Sequence, residues 1–298
     1  MRQLGTHTLD DALEMFMLDC EARRLTPATR QFYQAKIGMF VRWCGENDVQ
    51  LLTDISPHKV RLFFVHLQRR ELSSQYQNNL GRAIRAFCNY CVRDELMETT
   101  PFGKVQLPRV EKKILAALTT SEIPTILKGC QSARDRALCL CLLDSGVRAS
   151  ELIALNVEDI DLTTGVMNVR CGKGQKGRVT YIGATTRKHL HRYWVKRTDL
   201  SPKSPAFSST MTDERLTLSG LVQLMERLRQ RSGVAACTCH TFRRTFALNC
   251  LRNGMNIYVL ARLMGHADIT ILRQYLPLIE SDLQEAHKRF GTVDNLLR

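Results

Sequence analysis

At 298 residues, with 44% hydrophobic and 24% charged side chains, the chain is long enough for two domains with their own cores and too apolar for intrinsic disorder. Its 43 Lys and Arg against 29 Asp and Glu leave a net charge of +14, spread along the chain, which points to a polyanionic partner. No apolar run reaches the length of a membrane span and the first residues do not resemble a signal peptide, so no membrane partner is expected and the cytoplasm is the expected location unless the chain is sorted by other means.

Residues 8 to about 95 read as four helices. Thr8 precedes Leu9, Leu13, Phe16, Met17 and Cys20 at helical spacing. Thr26-Pro27 is a cap followed by a first-turn proline, ahead of Tyr33, Ile37, Phe40, Val41 and Cys44, with Gly45 as the stop. Ser56-Pro57 repeats the device before Val60, Phe63, Phe64 and Leu67. Ser73-Ser74 opens a helix with Tyr76, Leu80, Ile84, Phe87 and Cys91 inward. Arg69, Arg70, Arg82, Arg85 and Arg93 fall on or near the polar faces of the last two, either as a solvated surface or as contacts to a polyanion. From Thr100 to Ala117 the periodicity breaks at Pro101, Gly103 and Pro108, and four cations occur there: Lys104, Arg109, Lys112 and Lys113. This reads as an interdomain linker.

A second domain starts where Thr119 and Glu122 have capping-box spacing. A helix over 133–143 presents Ala137, Leu140 and Cys141 inward and breaks at Ser145-Gly146. Arg148 follows, ahead of a short helix over 150–154. The positive end of a helix dipole disfavours a cation, so an arginine here implies an anion shared between the two. The period then changes: Val157–Leu162, Val166–Cys171 and Val179–Ile182 are strand-like, joined by Thr164-Gly165 and by the run Gly172 to Gly177. That second turn carries Lys173 and Lys176 on a glycine-rich tip, which is either a solubilising hairpin or a means of close approach to another backbone. No P-loop or dinucleotide fingerprint occurs. Helices are expected over 185–197, with Leu190 and Trp194 buried, and over 218–231, separated by a proline-containing segment.

The chain is organised around His240 to Tyr275. His240 and Arg243 are three apart and share one face of a helix, while Phe242, Phe246 and Cys250 form a separate apolar stripe. Asn253-Gly254 stops that helix. Asn256 caps a second, in which Ile257, Leu260, Ala261 and Met264 bury and Gly265 ends it. His266 follows directly. Asp268 caps a third helix with Ile269, Leu272 and Leu276 inward and Tyr275 near its end, closed by Pro277. A final amphipathic helix over 281–290 carries Leu283, Ala286 and Phe290. Guanidinium and imidazole donors can hold a phosphate's oxygens, and a tyrosine hydroxyl can attack its phosphorus. A free tyrosine is only about 0.1% ionised at neutral pH, so it needs such cations or a base beside it.

Eleven cysteines are an odd set for a disulfide scaffold. Cys88-x-x-Cys91 and Cys237-x-Cys239 lack a second pair at zinc-site spacing and read as buried reduced thiols.

The motifs SGVRASEL, GKGQKGR, HTFRRTFA, LMGHADI and TILRQYL, with TTPF closing the helical N-terminal part, resemble in order and spacing the tyrosine recombinases of the phage-integrase and Xer type. The resemblance spans nearly the whole chain. It implies a mainly α fold, the DNA breaking-rejoining enzyme fold: a helical SAM-like core-binding domain over 1–100, a linker over 101–117, and a mostly helical catalytic domain over 118–298 with a small antiparallel sheet and a C-terminal docking helix. The two domains would close on duplex DNA as a C. Tyr275 would attack the scissile phosphate to give a 3′-phosphotyrosine, with Arg148, Arg243 and His266 on the phosphate oxygens. Lys173 would protonate the leaving 5′-oxygen, and His240 would serve as base or proton relay. Lys176 stays an alternative to Lys173, and Arg244 stands where many relatives carry a histidine.

The implied enzyme needs no cofactor, no metal and no ATP. Its partners would be double-stranded DNA with an inverted-repeat site and three further copies of the chain on synapsed DNA, the free protein being a monomer. An accessory DNA-bending or directionality protein stays open, and the implied setting is the bacterial cytoplasm with nucleoid association. The outcome would be recombination through a Holliday junction, for integration or excision of a mobile element or for dimer resolution. A type IB topoisomerase and a catalytically inactive DNA-binding relative are the alternatives.

Overall fold

The structure is a computed structural model that describes residues 7–110, 117–170, 177–198, 200–209 and 214–265, with residues 287, 291 and 293 beyond them. The chain divides into two compact units, residues 1–113 and 114–298.

The first unit is built from α1 (Leu9–Ala22), α2 (Pro27–Gly45), α3 (Pro57–Arg69) and α4 (Ser74–Arg93). Each begins at a hydroxyl cap: the side chains of Thr8, Thr26, Ser56 and Ser73 accept from backbone N–H groups that have no partner within their own helices. Aromatic rings fill the space between them. Phe16 meets Tyr33, Phe87 and Tyr90 at centroid distances of 5.2, 5.8 and 5.3 Å, and Phe63 meets Phe40 and Trp43 at 5.1 and 5.2 Å. Gly45 is the last residue of α2 rather than its stop; the reversal falls at Asp48, with φ +55°. Residues 101–108 lie against this unit. Phe102 and Val105 are buried in its core, Arg61 donates to the Lys104 carbonyl, and Asn78 donates to that of Pro108. A Cβ on Gly81 of α4 would sit 2.4 Å from Leu107 Cδ2, so the glycine makes room for this segment.

The second unit comprises α5 (Glu122–Lys128), α6 (Ala133–Ser145), α7 (Ala149–Ala154), the strands β1 (Val166–Val169) and β2 (Arg178–Tyr181), then α8 (Ala184–Trp194), α9 (Leu218–Ser232), α10 (Cys239–Arg252) and α11 (Ile257–Met264). Thr119 and Glu122 exchange the two bonds of a capping box ahead of α5. α6 is the centre of the unit, packed by α8 and α10 and buried on several sides. Leu140 is half-exposed, against expectation; Leu138, Cys139 and Leu142 take the inward positions with Ala137 and Cys141. The sheet is a two-stranded antiparallel ladder with Met167 opposite Thr180.

The segment expected as a strand from Val157 is a 3₁₀ turn over Val157–Asp159, because the Asp159 carboxylate accepts from the Asn156 N–H at 2.8 Å and folds the chain back. Ile160 rejoins the sheet through a single bridge to Met167. Asp144 of α6 accepts from Gly183 N–H and from the Thr186 hydroxyl, so α8 is capped from another helix. α8 ends at Trp194, short of the expected Arg197; the Trp194 indole donates to the Ala206 carbonyl and pins the segment around Pro205.

Among the described residues, no helix is long and apolar enough to cross a membrane. The ten described cysteines are free thiols. Cys91 and Cys237 are buried, and burial pushes their thiols up to about 12 and about 11. The expected third helix around Tyr275 lies outside the described residues, as does the expected C-terminal helix over 281–290 except for His287, which is helical.

Candidate active site

α6 ends at Ser145, and Gly146 turns the chain in the left-handed region with φ +61°. Arg148 then caps α7. Its backbone N–H donates to Glu151 Oε2 at 2.7 Å, and its guanidinium Nη1 to Glu151 Oε1 at 2.8 Å. The anion inferred at this helix start is therefore present in the protein itself, as the third residue of α7. The Arg148 side chain remains 40% exposed, so its charge is available to a second anion.

Arg243 comes from the first turns of α10, which Thr238 caps, with no acidic residue in the first turn. Arg243 is buried. Nη1 donates to the Gly146 carbonyl at 2.5 Å and Nη2 to that of Met264 at 2.7 Å, and Nη1 stands 3.9 Å from Glu151 Oε2. Arg148 and Arg243, distant in sequence, are thus brought to one carboxylate. His240, one turn earlier on α10, is exposed. The apolar stripe of α10 differs from the expected one: Phe242 is fully buried with Ala247 and Leu248, whereas Phe246 and Cys250 are half-buried beside α11. Lys173, Lys176, His266 and Tyr275 lie outside the described residues. Gly265 ends α11 at φ +65°, and its carbonyl accepts from Arg148 Nη2 at 3.3 Å.

Two residues of this cluster were not singled out from sequence. One is Glu151, whose carboxylate is 11% exposed and binds three arginines. Its position three residues after a helix cap was the available signal. Burial raises its pKa, but the hydrogen bonds from Arg178 and from the Arg148 backbone outweigh that and bring it down to about 2. The other is Arg178, at the start of β2. Its Nη1 and Nη2 grip Glu151 Oε1 and Oε2 at 2.8 Å each, and its Nε donates to the Leu263 carbonyl at 2.7 Å. It stands in the quoted GKGQKGR run, two residues after Lys176. Fixed, partly desolvated guanidinium groups of this kind are suited to an anionic phosphate, and to the extra negative charge that develops when one is attacked.

Comparison with known proteins decides the family. The model of the phage integrase family matches residues 112–280, and that of the phage integrase N-terminal SAM-like domain matches residues 13–98. The chain belongs to the phage integrase family. Among relatives of this family member, the tyrosine recombinase XerA of Thermococcus kodakarensis is 26% identical over 97% of this chain and 98% of its own. The tyrosine recombinase XerC of Pseudomonas syringae is 25% identical over 96% and 100%. The fold matches that of the Tn1549 transposon integrase, solved in complex with transposon right end DNA, with a TM-score of 0.75 at 18% identity over 90% of this chain and 95% of that one. This integrase-family chain is a tyrosine recombinase of the Xer-like type, and its reaction class is site-specific DNA recombination.

Proposed function

We propose that the protein cleaves and rejoins duplex DNA at an inverted-repeat site through a 3′-phosphotyrosine on Tyr275. The observation that supports this reading is the convergence of Arg148 and Arg243 on Glu151, which brings two of the expected phosphate-binding cations, far apart in sequence, to one place. In the proposed step the Tyr275 oxygen bonds to phosphorus as the bond to the 5′-oxygen breaks. The tyrosine proton passes to His240, and Lys173, or Lys176 beside it, protonates the 5′-oxygen. Arg148, Arg243 and His266 carry the added charge on the phosphate oxygens. Loss of one such donor costs about 10²–10³ in rate. The phosphotyrosine conserves the phosphodiester energy, so rejoining needs no ATP, and guanidinium charge takes the place of a metal.

A suicide substrate, nicked so that the cleaved end diffuses away, tests this reading. The wild-type protein should accumulate a covalent protein–DNA adduct, and Tyr275→Phe should bind the same DNA without forming one. An adduct surviving in Tyr275→Phe would move the nucleophile elsewhere. Absence of an adduct in the wild type would favour an inactive DNA-binding relative. Recombinant junctions on paired sites, rather than relaxation alone, separate a recombinase from a type IB topoisomerase. Four protomers on two synapsed duplexes, assembled from monomers, complete the proposal. A gel-shift series from monomer to synaptic complex measures it.

A further inference from the structure

We propose that Arg178 is a positioning residue for this reaction: it holds Glu151 in a bidentate grip so that the carboxylate is shared and cannot close both of its oxygens on the Arg148 guanidinium. The inference rests on the reading of Arg148 as a phosphate-binding group.

The geometry is that of a shared anion. Glu151 faces three guanidinium groups, those of Arg148, Arg178 and Arg243. Of the three, Arg178 alone matches both carboxylate oxygens at 2.8 Å, the planar fork-to-fork pairing that fixes orientation as well as distance. Its remaining nitrogen is bonded to the Leu263 carbonyl, and its side chain is 10% exposed, so the guanidinium has no freedom to turn toward solvent. The backbone of Gly265 lies against it, since a Cβ there would come within 2.8 Å of Arg178 Nη1.

Arg148 is placed differently. Its Nη1 shares Oε1 with Arg178, and its side chain is open to solvent on one side. The single charge of Glu151 is shared among the guanidinium groups that face it, and Arg178 takes the larger part of the carboxylate's attraction without facing outward. Were Arg178 removed, Glu151 would remain a buried carboxylate and would turn both oxygens to Arg148, closing the fork that a phosphate needs. Arg178 also joins three pieces of chain: β2, the start of α7, and the end of α11, immediately before His266 in sequence.

The test is a double-mutant cycle on full-length protein, reading single-turnover adduct formation on the suicide substrate, with DNA binding measured separately. Arg178→Ala should slow cleavage on the order of 10²-fold, with binding changed only a few-fold. Adding Glu151→Gln to Arg178→Ala should restore at least about tenfold of that loss, because the freed negative charge is gone. A purely structural role predicts the opposite, a double variant as slow as the single or slower, and that result overturns the proposal. So does wild-type cleavage by Arg178→Ala. If Arg178→Ala fails to fold, Arg178→Lys carries the test. It keeps the charge but not the fork, and it should be slowed and then improved by Glu151→Gln; failure of that improvement overturns the proposal. A wild-type protein that forms no adduct removes the parent reading and this one with it, whereas a wild-type adduct without rescue removes this one alone.

Discussion

Phe246 of α10 lies so close to Gly146 that a Cβ on the glycine would sit 2.2 Å from Phe246 Cδ1. The same glycine adopts φ +61° and offers its carbonyl to Arg243. Gly146→Ala therefore meets a conformational penalty of about 1 kcal/mol and an overpacking penalty of about 1–3 kcal/mol. Urea unfolding should show a loss of about 2–4 kcal/mol on those same grounds, and cleavage should fall further than the unfolded fraction explains because Arg243 loses its anchor.

The buried Glu151 makes stability depend on acid. A carboxyl held at about 2 in the folded protein, against an ordinary value of 4.5, favours the fold when ionised. That contribution is complete above about pH 4.5 and is lost as pH falls toward 2; at about 1.4 kcal/mol per unit it is of the order of 3 kcal/mol. Glu151→Gln should lower stability at neutral pH and flatten the acid limb of the stability profile. A variant with the wild-type acid dependence would show that other carboxylates dominate it.

The arginines of the first unit differ in how far they are already neutralised. Arg93 pairs with Asp19 at 2.9 Å and Asp94 at 3.0 Å, whereas Arg82 is exposed on α4 with no acidic partner among the described residues. If α4 faces DNA, Arg82→Ala should weaken binding and reduce the slope of log K against log salt by about 1, and Arg93→Ala should change the slope little. Titrations at several salt concentrations distinguish the two.

Adduct formation should proceed at an unchanged rate in EDTA and without nucleotide, because in the proposed step the phosphate charge is met by arginine. A chemical step that requires added magnesium would contradict that assignment.

Local signals made most of the helical skeleton legible. A hydroxyl ahead of a first-turn proline, or of an apolar 3.6-residue repeat, acts within a few residues, and the caps at Thr8, Thr26, Ser56 and Ser73 form as read. What failed depended on partners far along the chain, or on two local structures that suit the same pattern. The segment Val157–Leu162 reads as a strand, yet the Asp159 carboxylate caps a tight turn at its start and the strand does not form. Phe246 reads as a core position, yet its ring is used to wedge Gly146. At the site, Arg148 and Arg243 were visible because guanidinium groups suit phosphate. Glu151 was not, because a carboxylate has the wrong sign for DNA until Arg178, from the start of β2, is seen to hold it.

Arg243 joins Gly146 to Met264 as well as standing in the candidate site. A cation that doubles as a tie between two chain segments cannot drift by small steps, since the first substitution loosens the fold before it alters selectivity. Exposed positions such as Arg69, Arg70 and Arg82 carry no such constraint. Adaptation of this recombinase to a new DNA sequence, in nature or by directed selection, should therefore accumulate changes on those outward faces and leave the Arg243 tie intact.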